Sequence, residues 1–155
     1  MKSFNHPLMH NNISSDDLKK IIDFLKKKPI LTHSKKVLEF ERKWSEWLGV
    51  KYSIFVNSGS SANFLSMKCI RELYGDGEVI LPPLTWISDV VATVESGFKP
   101  KFADIKMETL SLDENKILKK ITKKTKAVFI THAQGFNGLS DKLLKILKKK
   151  ENYIN

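Results

Sequence analysis

Residues 78–105 of the chain read EVILPPLTWISDVVATVESGFKPKFADI. The first four residues predict a short apolar strand that two prolines close, and Trp86 to Glu95 has helical spacing with Gly97 after it. A second predicted strand occupies 101–105. Because short apolar strands that alternate with helices are typical of parallel pairing, this stretch predicts one unit of an α/β sheet covered by helices.

The same alternation extends on both sides of this unit. The other predicted elements are strands at 52–56 and 127–130 and helices at 62–73, 113–121 and 140–147. Two further helices come first: Ser14 and Asp17 have capping-box spacing, and Gly49 stands where a second helix would end. The pattern therefore predicts a mostly parallel α/β sheet of four strands, preceded by two N-terminal helices.

Length and composition limit the class of protein. A chain of 155 residues with 41% hydrophobic residues fits one domain with a real core. No apolar run approaches the roughly 20 residues that span a bilayer, and the N-terminus lacks a signal-peptide pattern, so we expect a cytoplasmic protein. The single cysteine, Cys69, excludes an internal disulfide and lies on a predicted apolar helical stripe, where we expect it in the core.

The formal net charge of +10 raises the alternative of a basic nucleic-acid-binding module. Only two of the 27 basic residues, Arg42 and Arg71, are arginine, the side chain that reads phosphates and bases bidentately. Lysine runs such as 26–28 and 148–150 lie at predicted helix ends, where they complement the helix dipole. The composition therefore favours a solvated lysine-rich surface over a nucleic-acid partner.

Ligands of open parallel sheets bind beyond the carboxyl ends of the strands, and three loops fall there. In the first, 57–61, Gly59 permits close backbone approach at a helix N-terminus and the serines can donate to a phosphate. The loop matches neither a Walker nor a Rossmann motif. An anion site and a simple helix-capping cluster are both compatible with these residues.

The other two loops are also ambiguous. Trp86, after the prolines, could stack on a flat ligand ring or belong to the core. His132 could carry a proton, contact a ligand or hold a structural hydrogen bond. We assign no metal site to His132 or to the remaining histidines, His6, His10 and His33.

Several ordered segments resemble the DegT/DnrJ/EryC1/StrS family of enzymes that use pyridoxal 5'-phosphate (PLP). Each motif is weak alone, whereas the ordered set spans nearly the whole chain. The segments that carry the resemblance are Glu39–Glu41, Trp47–Tyr52, Val56–Asn63, Val79–Trp86, Gly97–Ile105, Thr122–Val128 and the loop at His132.

The resemblance implies a part of an aspartate-aminotransferase-like, fold type I large domain. It also implies that Gly59, Ser60 and Ser61 hold the PLP phosphate, that Trp86 stacks on the pyridine ring, and that His132 lies near the cofactor without an assigned chemical step. Around residues 31–34 the family usually has a glycine and a contact to the other subunit or the substrate, and this sequence departs from that pattern.

The resemblance further implies a transamination of a nucleotide-linked keto sugar with an amino donor, in a homodimer, for cell-surface polysaccharide or deoxysugar biosynthesis. A related PLP-dependent dehydratase, in which histidine replaces the Schiff-base lysine, is the alternative. That lysine and the aspartate that pairs with the pyridine nitrogen match no position here, so we assign no catalytic residue. We expect 1–155 to be the N-terminal part of a large domain without the small C-terminal domain, inactive alone, with Tyr153-Ile154 beginning a further strand.

Overall fold

A computed structural model describes residues 11–151, and the chain divides after Phe55 into two compact units. His6, His10 and the strand predicted at Tyr153-Ile154 lie outside the described residues. In the part of the chain that the structure describes, no helix is both long and apolar enough to cross a membrane.

The first unit contains two helices, α1 (Ser15–Lys26) and α2 (Lys35–Leu48). The predicted capping box is confirmed: the Ser14 hydroxyl accepts from the Asp17 N–H at 3.2 Å, and the Asp17 carboxylate accepts from the Ser14 N–H at 3.0 Å. Hydrogen bonds from the side chain and backbone of Ser14 lower the pKa of the Asp17 carboxyl. Gly49 ends α2 with φ at +74°, a left-handed conformation that favours glycine.

The segment predicted as a strand at 52–56 has no strand structure, so that prediction is wrong. Among the described residues no strand pairs with it, and Tyr52 and Ile54 are exposed. The segment is instead held by side chains of α2. The Phe55 N–H donates to the Glu41 carboxylate at 2.8 Å, and the Phe55 ring packs edge-on against Phe40.

The second unit is the α/β sheet. Its elements are α3 (Gly59–Tyr74), β1 (Glu78–Leu81), α4 (Ile87–Glu95), β2 (Lys99–Phe102), α5 (Glu114–Lys120), β3 (Thr125–Val128), a 3-10 turn (Ala133–Gly135) and α6 (Asp141–Glu151). The three strands are parallel in the order β2-β1-β3, so β1 is central. The predicted parallel sheet is confirmed, although the described residues contain three of the four predicted strands.

Helices cover both faces of the sheet, and the side chains of β1 alternate between these faces. Val79 and Leu81 join one fully buried cluster, and Ile80 joins the other. The first cluster is completed by Met67, Ala92 and Phe98, and the second by Ala103, Leu112, Ile117 and Leu143. Helices α3 and α4 therefore pack on one face, and α5 and α6 on the other.

Two strand positions and one burial prediction differ from the structure. The strands predicted at 101–105 and 127–130 occupy 99–102 and 125–128, so each begins two residues earlier than predicted, where its backbone pairs with Glu78–Leu81. Cys69 is exposed, so its expected place in the core is wrong. Helix α3 turns Met67 toward the sheet, which leaves Cys69 on the outer side.

Candidate functional site

The loop before α3 is tied together by its own polar side chains. The Ser58 hydroxyl accepts from the Ser61 N–H at 3.1 Å and caps the helix. The Ser61 hydroxyl donates to the Asn57 side-chain oxygen at 2.7 Å. Ser61 thus has both its N–H and its hydroxyl engaged inside the loop, and the capping interpretation is correct for Ser58.

Two backbone donors at the start of α3 remain open. Among the described residues, no protein acceptor receives the N–H of Gly59 or of Ser60, whereas the N–H of Ala62 donates to the Ser58 carbonyl at 3.1 Å. A Cβ built on Gly59 would meet no atom within 4 Å, so the space beside these donors is open. Adjacent free N–H groups at a helix N-terminus form an arrangement suited to a phosphate.

Trp86 lies at the exit of β1 and immediately precedes α4 as its capping residue. Its side chain is 77% exposed, which contradicts the alternative of a core tryptophan. Pro82, the first residue after the strand, is fully buried and holds the chain at the point where it leaves the sheet. An indole presented to solvent at the end of a central strand is available to stack on a planar ligand.

His132 follows the end of β3 and is exposed. Its Nδ1 atom accepts from the Gly138 N–H at 3.0 Å, so neutral His132 carries its proton on Nε2. A Cβ at Gly138 would collide with Ser111, which explains a glycine at this close approach. His132 therefore holds a structural hydrogen bond, and its Nε2 atom remains to meet a ligand.

Asp89 was not among the residues predicted from the sequence, and its carboxylate is the polar centre of the site. Asp89 is 4% exposed in the first turn of α4. It accepts from the Asn63 amide at 2.7 Å and from the Thr85 hydroxyl, and Thr131 lies at 3.4 Å from the same oxygen that Thr85 contacts. The Thr85 and Thr131 hydroxyls also contact each other at 2.6 Å.

These contacts join the three loops singled out in the sequence. Thr85 directly precedes Trp86, Thr131 directly precedes His132, and Asn63 lies two residues after Ser61 in the first turns of α3. The only sequence signal was an acidic residue near the start of an otherwise apolar helix. Within the described residues, none of the hydrogen bonds or ion pairs of this network involves a lysine.

Comparison with known proteins identifies the family of this chain. The model of the DegT/DnrJ/EryC1/StrS aminotransferase family matches residues 11–154, almost the whole sequence. The chain belongs to that family. The matched range of this DegT-family chain includes all three loops and the strands and helices that carry them.

Similar proteins include ones named for polysaccharide and sugar biosynthesis. The spore coat polysaccharide biosynthesis protein SpsC of Bacillus subtilis is 37% identical over 123 residues, which cover 79% of this chain and 31% of SpsC. Helicobacter pylori PseC, an aminotransferase involved in the biosynthesis of pseudoaminic acid, is 31% identical with a TM-score of 0.78. That alignment covers 90% of this chain and 37% of PseC.

A second solved structure contains the cofactor. The E. coli GDP-4-keto-6-deoxy-D-mannose-3-dehydratase with bound hydrated PLP has a TM-score of 0.74 and 27% identity, over 81% of this chain and 33% of the dehydratase. The α/β unit therefore has part of the fold of fold type I PLP enzymes, as the resemblance implied. The DegT-family chain spans about a third of the length of the curated relatives that it matches.

Proposed function

We propose that this chain forms the phosphate-binding and ring-stacking part of a PLP-dependent aminotransferase that acts on a nucleotide-linked keto sugar. The observation that carries the proposal is the pair of open N–H groups on Gly59 and Ser60 at the start of α3. The helix that they begin is joined through Asn63 and Asp89 to the loop of the exposed Trp86. An anion site and an aromatic face on neighbouring loops match the two ends of a phosphorylated pyridine.

The residues present fit this cofactor. The N–H groups of Gly59 and Ser60 would donate to phosphate oxygens, with the open space beside Gly59 admitting the group. Ser61 would keep the loop in shape through Asn57, and its own N–H would join the phosphate ligands only if Ser58 released it. Trp86 would cover one face of the ring. When bound, PLP supplies the electron sink that amino-group transfer requires.

His132 belongs to the same proposal as a residue near the cofactor. Its bond from Gly138 leaves Nε2–H as the outward group of the neutral imidazole. That group is suited to donate to an acceptor on a bound ligand. We assign it no proton transfer, and we assign no catalytic residue within the 155 residues.

The substrate class rests on the relatives. The names of the relatives describe a polysaccharide biosynthesis protein, an aminotransferase of sugar biosynthesis and an enzyme of a GDP-linked keto sugar. We therefore propose a nucleotide-linked keto sugar and an amino donor as the substrates of the whole enzyme. A homodimer, a cytoplasmic location and the assignment of 1–155 to the N-terminal part of the large domain belong to this proposal.

Aminotransfer is favoured over the dehydratase alternative. The PseC aminotransferase aligns over 90% of this chain with a TM-score of 0.78 and 31% identity. The dehydratase aligns over 81% of the chain with a TM-score of 0.74 and 27% identity. The basic nucleic-acid-binding module gains no support from any of these similarities. Both PLP chemistries would use the same phosphate loop and the same stacking ring.

The proposal is tested by calorimetric titration of the 155-residue chain with PLP and with pyridoxal, which lacks the phosphate. We expect PLP to bind and pyridoxal to bind at least about tenfold more weakly, since charge-assisted hydrogen bonds are lost. Borohydride reduction followed by peptide mapping then checks for covalent attachment. Equal affinity for both compounds would contradict the proposed phosphate site. Trapping of PLP at one specific lysine would contradict the statement that the chain contains no catalytic residue.

A further inference from the structure

Asp89 carries a carboxylate where a core would ordinarily place an apolar side chain. It is 4% exposed, and its side-chain partners among the described residues are all neutral: Asn63, Thr85, Ser88 and Thr131. No described lysine, arginine or histidine forms an ion pair with it. Buried carboxylates without a cation are rare, because desolvation of the charge must be offset by hydrogen bonds alone.

The partners of Asp89 come from a helix and from the segments that follow two strands. Asn63 lies on α3 and is 26 positions away, and Thr131 follows β3 and is 42 positions away. Thr85 belongs to the exit of β1 and contacts both Asp89 and Thr131. One carboxylate thus contacts side chains from α3 and from the segments that follow β1 and β3; backbone pairing joins the two strands, whereas α3 lies outside the sheet.

We propose that Asp89 is a positioning residue that sets the phosphate loop, the stacking tryptophan and the His132 loop at their working separation; the cofactor part of this inference rests on the proposed function. Asn63 connects Asp89 to the helix that presents the open donors of Gly59 and Ser60. Thr85 and Thr131 connect it to Trp86 and His132, because each threonine directly precedes one of these two residues. Asp89 contacts no ligand in this scheme and acts through these neighbours.

The chemistry of a carboxylate explains why this residue type serves here. Its two oxygens accept from several donors at once, whereas an amide has one accepting oxygen. Its position in the first turn of α4 also places negative charge at the positive end of the helix dipole. Asp89→Asn therefore keeps the shape of the side chain and forces at least one donor to lose its acceptor or to turn.

The test uses the full 155-residue chain and three further variants. Thr131→Val removes one connection, and Thr131→Ser restores its hydroxyl. Thr93→Val is the matched control: Thr93 is fully buried on the same helix, but its hydroxyl donates only to the Asp89 carbonyl at 2.9 Å. Backbone hydrogen exchange is followed at 57–63, 84–88 and 131–135, with the PLP dissociation constant and the thermal midpoint measured in parallel.

We expect Asp89→Asn to accelerate exchange in all three segments and to weaken PLP binding about tenfold or more. Thr131→Val should change the same segments in the same direction, Thr131→Ser should resemble wild type, and Thr93→Val should leave the three segments unchanged. If Asp89→Asn fails to fold, the comparison of Thr131→Val with Thr131→Ser tests the positioning role.

Wild-type exchange in all three segments of Asp89→Asn, or of Thr131→Val where the former does not fold, would overturn the positioning role. Equal acceleration by Thr93→Val would also overturn it, because a general loss of helix stability would then be sufficient. A wild-type chain that does not bind PLP defeats the proposed function instead. In that case the hydrogen-exchange rates of the variants still test whether Asp89 holds the three segments together.

Discussion

Replacing Gly59 by proline removes one of the two open donors while keeping the helix. Gly59 is the first residue of α3, a position where proline is tolerated because its missing N–H is unused in the helix. Ser58 is already extended at φ −160° and ψ 161°, which is the conformation that a following proline requires. Gly59→Pro therefore tests a single hydrogen bond to the ligand.

The magnitude follows from the type of bond. A hydrogen bond to a charged group contributes about 1.5–3 kcal/mol, which corresponds to a PLP dissociation constant about 10- to 150-fold higher. Gly59→Ala is the matched control, since alanine keeps the N–H and its Cβ would meet no atom within 4 Å. We expect Gly59→Ala to bind PLP about tenfold or more tightly than Gly59→Pro, because both variants carry a Cβ in the space beside the donors and differ in the N–H.

Calorimetric titration of the two variants and wild type with PLP gives the comparison, and circular dichroism verifies that α3 persists. The loss should be specific to the phosphate, so the affinity for pyridoxal should be the same in both variants. Equal PLP affinity of folded Gly59→Pro and Gly59→Ala would refute the assignment of the Gly59 N–H to the phosphate.

Three further predictions concern the fold. Ile80→Ala should lower the free energy of unfolding by about 2–5 kcal/mol in denaturant titration, because Ile80 is fully buried on the central strand. Gly138→Ala should destabilise the chain by about 1–3 kcal/mol in the same assay, since its Cβ would collide with Ser111. Hydrogen bonds from Lys101 and then Thr122 lower the pKa of Glu78 below 4.5, so its contribution is present above that pH and lost as the pH falls through the lowered value. Glu78→Gln should therefore lower the thermal midpoint at neutral pH, and the difference from wild type should shrink in acid; a constant difference would contradict this.

Elements with complete local signals could be predicted from the sequence. The capping box at Ser14 and the left-handed Gly49 lie within a few residues of the helices that they bound. The apolar run at 78–81 is short and closed by prolines, and it forms the central strand. The two helix ends depend on residues that are close in sequence. The strand depends on burial of the whole apolar run at 78–81.

Features that depend on distant partners could not be predicted in this way. The run at 52–56 has strand composition, but no described strand pairs with it. Cys69 lies on an apolar pattern, whereas packing against the sheet selects the face that contains Met67. Asp89 gains its role only from hydrogen bonds that span 26 and 42 positions, so no local motif marks it.

In the three site loops, some features could be predicted from the sequence and others depend on contacts that only the structure gives. A family resemblance assigned Ser60, Ser61 and Trp86 to one ligand, while the residues alone left capping and core alternatives open. The structure adds that Ser61 is engaged by Ser58 and Asn57, so the donors that remain are those of Gly59 and Ser60. This distinction depends on hydrogen positions in one turn, which spacing does not determine.

The central claim is that the start of α3 receives the phosphate of PLP beside Trp86. It is tested most directly by amide and indole NMR of the labelled 155-residue chain during titration with PLP. The account predicts saturable shifts of the Gly59 and Ser60 amides and of the Trp86 indole, while pyridoxal leaves the two amides in place. Saturable PLP binding that shifts none of these three signals would contradict it.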